Sequence, residues 1–246
     1  LEHFWQGLDG LGALKALAEA ALAERIAAAR DAALEEFAKR SPLALTEAEL
    51  TIEAQCLERA LARWLAIERE RDGFSVTALE APIELAFGKL KLTGKIDRVD
   101  ELDGGGSVVI DYKTGGAGKN GWAPEARLAD VQLPAYAVSL QPRPAAIAFA
   151  RLKPDKMGFD GLAEVDAGIG GVAVIGEIKG QSKFRGAESW ASLVDDWRDH
   201  LEFLAADFMS GRAEVHPRDA QVCKYCHLHA LCRINERVAL PEADDE

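Results

Sequence analysis

Gly94-Lys95-Ile96-Asp97-Arg98-Val99-Asp100, then Asp103-Gly104-Gly105-Gly106, then Val108-Val109-Ile110-Asp111-Tyr112-Lys113-Thr114-Gly115 reads as two strands joined by a tight glycine-rich turn. Strand side chains alternate, so Asp111 and Lys113 share one face and Val108, Ile110 and Tyr112 take the other. A turn centred near Gly104 sets Asp97 opposite Asp111 across an antiparallel pair. Two carboxylates and one ammonium then converge. Facing carboxylates repel unless a cation lies between them, and a hard divalent ion suits such oxygen donors. A lysine beside that ion can orient a water or steady a charged transition state. These parts are the apparatus for metal-dependent phosphodiester hydrolysis.

The same residues resemble the PD-(D/E)XK nuclease superfamily in its RecB/AddB-like branch. The combination of G-x-I-D-R-x-D, a turn, and an apolar run ending in D-Y-K-T-G carries the resemblance, because Asp-x-Lys alone is common. It implies that Asp97 and Asp111 are ligands of Mg2+ or Mn2+, aided by the carbonyl of Tyr112, and that Lys113 is the catalytic lysine. It also implies an α+β fold with a restriction-endonuclease-like core: helix, three-stranded antiparallel meander, helix, strand. Periodicity alone gives a mixed α+β domain.

The expected organisation is an N-terminal helical part over 1–72, a nuclease core over 73–186, a C-terminal helix with a Cys-rich segment over 187–237, and a frayed tail over 238–246. In the first part, Gly7, Gly10 and Gly12 break the helix early and Ser41-Pro42 ends the region. Thr46 and Glu49 form a capping box for a helix over roughly 47–72, with Leu50, Ala54, Leu57, Leu61 and Trp64 as its buried stripe. Strands are expected at 74–86, 88–100, 107–113, 145–152 and 162–178, the last interrupted by Asp166 to Gly171. A helix is expected near 130–140. A longer one over 187–210 places Trp190, Leu193, Val194, Trp197, Leu201, Leu204 and Phe208 on one face, with Gly211 as terminator.

Gln132 and Tyr136 lie at i and i+4 and share a helix face, with Pro134 in the first turn if Asp130 is the N-cap. RecB-like nucleases carry a Q-x-x-x-Y motif here, which implies DNA-facing roles for both; otherwise they are a surface Gln and a core Tyr. Glu80 reads either as a supporting carboxylate or as an exposed strand residue. Trp122 reads either as a base-stacking platform or as an ordinary core or surface aromatic.

Three of the four cysteines, Cys223, Cys226 and Cys232, crowd into one short segment, which favours a metal centre over a disulfide framework. Their spacing matches the C-terminal segment of AddB-type nucleases, which implies a structural 4Fe-4S cluster. Zinc is the alternative, since His216, His227 and His229 lie close by. The fourth ligand is expected upstream of this chain, or else is Cys56. Leu1-Glu2 followed by Phe4-Trp5 looks like the tail of the family's G-x-x-x-H-x-x-L-E motif, so the chain reads as part of a larger DNA-repair or recombination protein.

The net charge of −12 is unusual for a free-standing DNA binder, whose affinity comes mostly from Lys and Arg. Either DNA is delivered by the remainder of a larger polypeptide or a helicase–nuclease partner, or a local basic groove suffices. No stretch is long and apolar enough to span a membrane, no signal pattern opens the chain, and a bacterial-type cytoplasmic location is expected. The competing function is a noncatalytic DNA-binding or scaffolding module that keeps the fold.

Overall fold

Alternating apolar residues over 74–113 build a long hairpin and a third strand, and the helices before and after them cover the two faces of the resulting sheet. The computed structural model describes residues 1–41, 45–124, 127–178, 183–184 and 186–234. Helices α1 (Glu2–Trp5), α2 (Leu11–Ala16), α3 (Glu19–Arg40) and α4 (Glu47–Arg69) come first, then strands β1 (Phe74–Phe87), β2 (Leu90–Leu102) and β3 (Ser107–Lys113). Helix α5 (Gln132–Ser139), strands β4 (Ala146–Arg151), β5 (Gly158–Ala163) and β6 (Val172–Val174), and helices α6 (Trp190–Met209), α7 (Ala220–Lys224) and α8 (His229–Cys232) follow. The six strands form one mixed sheet in sequence order, with β3–β4 and β5–β6 parallel and the other pairs antiparallel. This is the α+β arrangement of a restriction-endonuclease-like core.

Helices on both faces bury the sheet. One core joins Val109, Ile147, Phe149 and Leu162 to Leu133 and Tyr136 of α5 and to Trp190 and Trp197 of α6. The other joins Val108, Ile110, Ala146 and Ala148 to Phe4, Trp5, Leu14, Ile26 and Trp64 from α1–α4. Odd and even positions of β3 therefore serve different cores, as strand alternation requires. Asp111 and Lys113 fall on the α5 side and Tyr112 on the α4 side.

Local signals set the ends of the elements. Thr46 and Glu49 form the expected capping box of α4. The Leu102 and Gly105 amides close the β2–β3 turn, where Gly105 and Gly106 take φ of 96° and 79°, angles that favour glycine. Helix α6 ends in a paired motif: Gly211 N–H donates to Phe208 and Arg212 N–H to Asp207, with Gly211 at φ 76°.

The expected interruption at Asp166–Gly171 separates two strands, β5 and β6. Some sequence expectations are corrected. β5 starts earlier than expected, at Gly158, and β6 ends earlier, at Val174. Leu50, Ala54 and Leu57 are only half-buried, because the first turns of α4 face α3 rather than the sheet. Leu204 and Phe208 are 47% and 71% exposed. The last turns of α6 instead line an open apolar groove of about 550 Å3 with Leu85, Leu90 and Leu92 of the hairpin. The frayed tail expected over 238–246 lies outside the described residues, as does Pro42.

A buried ionic network ties α4 to the strands that carry the acidic motif. Arg98, with no exposed surface, donates from Nη1 to Glu68 Oε1 at 2.8 Å and from Nε and Nη2 to the two Asp100 oxygens at 2.6 and 2.8 Å. Its Nη1 also donates to the Tyr112 hydroxyl at 3.0 Å. Arg71 pairs with Glu68 at 2.7 Å and Asp100 at 2.8 Å, and its guanidinium lies 3.8 Å from the Phe74 ring centroid. Burial works against the Arg98 charge, but Tyr112, Glu68 and Asp100 outweigh it and hold the guanidinium firmly protonated. Removing one member strands its partners in a dry interior. Arg98→Met should therefore cost about 3–5 kcal/mol in urea unfolding; an unchanged midpoint would show that the network is not needed for stability.

Candidate active site

Strand β3 presents Asp111 and Lys113 toward α5. Lys113 Nζ lies 2.7 Å from Asp111 Oδ2 and donates to Gln132 Oε1 at 2.9 Å. The Asp111 contact is close in distance but lacks hydrogen-bond geometry, so the buried Oδ2 has no donor aligned with it. Burial, opposed by Lys113 and reinforced by Asp97 and Asp130, raises the Asp111 pKa from 3.8 to about 6.

Asp97 approaches from β2. The β2–β3 ladder pairs Arg98 with Ile110 and Val99 with Val109, a register that continued by one residue sets Asp97 against Asp111. There the strands part, and Asp97 Oδ2 accepts the Tyr112 backbone N–H at 2.8 Å. The carboxylate thus reaches β3 between Asp111 and Lys113. Burial also raises the Asp97 pKa, against the pull of that N–H.

On its other side, the β1–β2 register of Leu79–Arg98 and Ala81–Ile96 sets Glu80 opposite Asp97. Glu80 sits at φ 47°, an uncommon conformation for a residue with a side chain. Its carboxylate pairs with Lys95. Glu80, Asp97 and Tyr112 border a cleft of about 440 Å3, also lined by His3 and Glu36, which are 3.1 Å apart.

Helix α5 closes the site through a relay. Gln132 Nε2 donates to the Tyr136 hydroxyl at 3.4 Å, and that hydroxyl donates to the Lys95 carbonyl at 2.9 Å. Asp130 Oδ1 accepts the Gln132 N–H at 3.1 Å, although the cap residue itself is Val131. A Cβ on Gly94 would lie 3.1 Å from Tyr136 Cε1, tighter than most real contacts, so the glycine admits the ring. Gly94 and Tyr136, which belong to separate sequence motifs, thus meet in one contact.

Asp97 and Asp111 are carboxylates of the kind a divalent cation takes as ligands. Both are hard oxygen donors and partly desolvated, and the buried Asp111 Oδ2 has the Lys113 ammonium close by without an aligned hydrogen bond. Among the described residues no group of three or more His, Cys, Asp or Glu side chains gathers to hold a metal. Two carboxylates with water completing the shell are a common arrangement for magnesium.

The cysteine segment is different. Cys223, Cys226 and Cys232 are free and half-buried, and they are not assembled around one centre. Cys56, the alternative fourth ligand, is exposed on α4, where its Sγ accepts from Arg59 at 3.7 Å. Trp122 is fully buried against Phe149, at 4.6 Å between ring centroids, so it offers no face to a base.

Several residues that matter here were not singled out from sequence. Glu68 stands four residues beyond Trp64 on the buried stripe of α4, and a carboxylate on such a stripe signals a buried ion pair. Arg98 and Asp100 alternate with Asp97 and Val99, which assigns them to the opposite, interior face.

A family model of the PD-(D/E)XK nuclease superfamily matches residues 1–233. The chain belongs to the PD-(D/E)XK nuclease superfamily. No curated protein is significantly similar to it in sequence. Among solved structures, one titled "Crystal structure of SSO0001" is 17% identical over 82% of this chain and 79% of that chain, with a TM-score of 0.35.

The raised Asp111 pKa has a testable sign. Between pH 3.8 and about 6 the folded protein keeps a proton that the unfolded chain loses, so stability declines as pH rises through that window. Above it the full destabilising effect is present. Metal-free Asp111→Asn should therefore melt higher than wild type at pH 8, with the difference vanishing near pH 4. Thermal melts across this range check it; a larger gain at pH 4 would contradict the burial account.

Proposed function

We propose that this chain is a metal-dependent deoxyribonuclease domain of a larger, cytoplasmic DNA-repair or recombination protein. The observation that carries the reading is the buried, donor-poor oxygen of Asp111 beside Lys113, with Asp97 reaching the same strand. The superfamily membership supports nuclease chemistry. The net charge of −12 favours delivery of DNA by the rest of a larger polypeptide or a helicase–nuclease partner. No helix among the described residues is long and apolar enough to cross a membrane.

Asp97 and Asp111, with the carbonyl of Tyr112, would hold Mg2+ or Mn2+. Such an ion, when bound, activates water and neutralises charge on a phosphoryl group. The chain's own residues supply orientation. Lys113 is held between Asp111 and Gln132, so its ammonium can donate to a water or to a phosphoryl oxygen as charge builds there. Gln132, steadied by Tyr136, positions the strand next to Lys113. The partly desolvated walls strengthen each of these interactions.

Lys113→Ala should lower cleavage of an oligodeoxynucleotide in Mg2+ by about 100-fold or more while folding and most DNA binding persist. Initial rates, circular dichroism and fluorescence anisotropy test it together. Full activity in the variant removes Lys113 from catalysis. A wild-type protein that binds DNA yet never cleaves it in Mg2+ or Mn2+ supports the noncatalytic scaffold instead.

We also propose that Cys223, Cys226 and Cys232 bind a structural metal centre, a 4Fe-4S cluster in preference to zinc. The C-x2-C-x5-C spacing supports it, as does a bond from Leu228 N–H to Cys226 Sγ at 3.4 Å, the kind of donor a thiolate accepts. The fourth ligand is upstream of this chain or is Cys56. Anaerobically purified full-length protein should contain iron and sulfide; zinc alone supports the alternative, and neither refutes a metal centre.

A further inference from the structure

Strands β3 and β4 run parallel with Lys113 opposite Arg151, and the Leu152 N–H donates to the Lys113 carbonyl at 2.8 Å. Residues paired across a ladder share a face. Arg151 therefore stands beside Lys113 on the α5 face, two positions beyond the pair Asp111–Phe149. Its guanidinium is incompletely used: Nη1 lies 3.4 Å from Asp160 Oδ2, and the buried Nε has no hydrogen-bond partner. The side chain remains 29% exposed while Nε is sealed from solvent, so contact with a ligand falls to the terminal nitrogens of the guanidinium.

Asp160, opposite Phe149 on β5, serves a second cation. It accepts the Lys119 backbone N–H at 3.1 Å and pairs with Lys119 Nζ at 3.1 Å. This anchors the glycine-rich run after Lys113 close to β5. Lys113, Lys119 and Arg151 thus lie along one wall, with Asp160 as a shared internal anion. When Asp111 is occupied with a divalent ion, this wall is locally basic in a chain whose net charge is −12. Arginine with free planar donors suits a phosphate, and a lysine adds a point charge.

We propose that Arg151 and Lys119 form a phosphate-binding subsite that holds the substrate strand at a phosphate adjacent to the one undergoing cleavage. Asp160 preorganises the two cations and competes with that phosphate for them. The proposal rests on the nuclease reading of the Asp111–Lys113 site.

The test uses the full chain and a fluorescein-labelled single-stranded oligodeoxynucleotide. Anisotropy is measured in Ca2+ over a KCl series, and cleavage in Mg2+. Arg151→Gln should raise Kd about ten-fold and reduce the slope of log K against log salt by about 0.7, the value for one single-strand phosphate contact. KM should rise more than kcat falls, and Arg151→Lys should recover part of the affinity. Asp160→Asn keeps an acceptor for the Lys119 N–H but removes the competing charge, so it should lower Kd. A merely structural ion pair predicts the opposite: Arg151→Gln and Asp160→Asn would both lower the melting temperature and move Kd in the same direction. That result, or an unchanged Kd and salt slope in Arg151→Gln, overturns the subsite. If wild type cleaves DNA while Arg151→Gln binds normally, this proposal alone fails. If wild type neither binds nor cleaves, the nuclease reading fails and takes the subsite with it.

Discussion

Arg98 holds a positive charge where no solvent reaches it, and most of the active-face geometry depends on how that charge is satisfied. Its donors go to Glu68 on α4, to Asp100 on its own strand and to the Tyr112 hydroxyl on β3. Two of these partners, Asp100 and Tyr112, lie on the strands that carry the candidate site. Arg98 follows Asp97, and Tyr112 stands between Asp111 and Lys113. Because side chains alternate, locking Arg98 and Tyr112 on the α4 face fixes where Asp111 and Lys113 emerge on the other, while Asp97 reaches the Tyr112 backbone N–H where the strands part and borders the cleft shared with Glu80 and Tyr112. The desolvation of the ions makes the arrangement intolerant of slippage, since a shifted register would leave buried charges unpaired.

The opposite face carries the unfavourable features. Asp111 is buried without an aligned donor, Asp97 is partly desolvated, and Glu80 takes a left-handed backbone angle opposite Asp97. These are costs of a site held ready for charge that arrives with a ligand. They are offset by two dense aromatic cores. Trp122, Phe149, Trp190 and Trp197 pack on one side of the sheet, and Phe4, Trp5, Trp64, Phe74 and Phe159 on the other. The Trp122 carbonyl accepts the Trp197 indole N–H at 2.7 Å, which ties the loop after Lys113 to α6. The segment next to the site is thus anchored by the core.

How legible each feature was depends on whether its cause is local. The capping box at Thr46, the glycine turn after Asp103 and the terminator at Gly211 use residues within a few positions of one another, and sequence reasoning found all three. The exposure of Leu204 and Phe208 was not readable, because helical periodicity marks a face without saying where the sheet beneath it ends. The burial of Trp122 was likewise decided by Phe149 and α6, both far away in sequence. The interruption of 162–178 at Asp166–Gly171 was readable, but the parallel pairing of β6 with β5 was not, because no local pattern announces it.

By itself the sequence determined the hairpin, its two faces and the superfamily, because alternation, turn glycines and motif spacing are properties of neighbouring residues. It also brought Asp111 and Lys113 to one face, since strand geometry leaves no other choice. Only the tertiary structure decided that Glu68 completes Arg98, that Gln132 and not solvent holds Lys113, that Gly94 exists to admit Tyr136, and that Arg151 stands level with Lys113. Each of these joins residues between 19 and 42 positions apart by the pairing of separate elements. The desolvation that raises the Asp111 pKa has the same origin: a carboxylate's sequence neighbours cannot remove its water, and only packing of the whole sheet against α5 does.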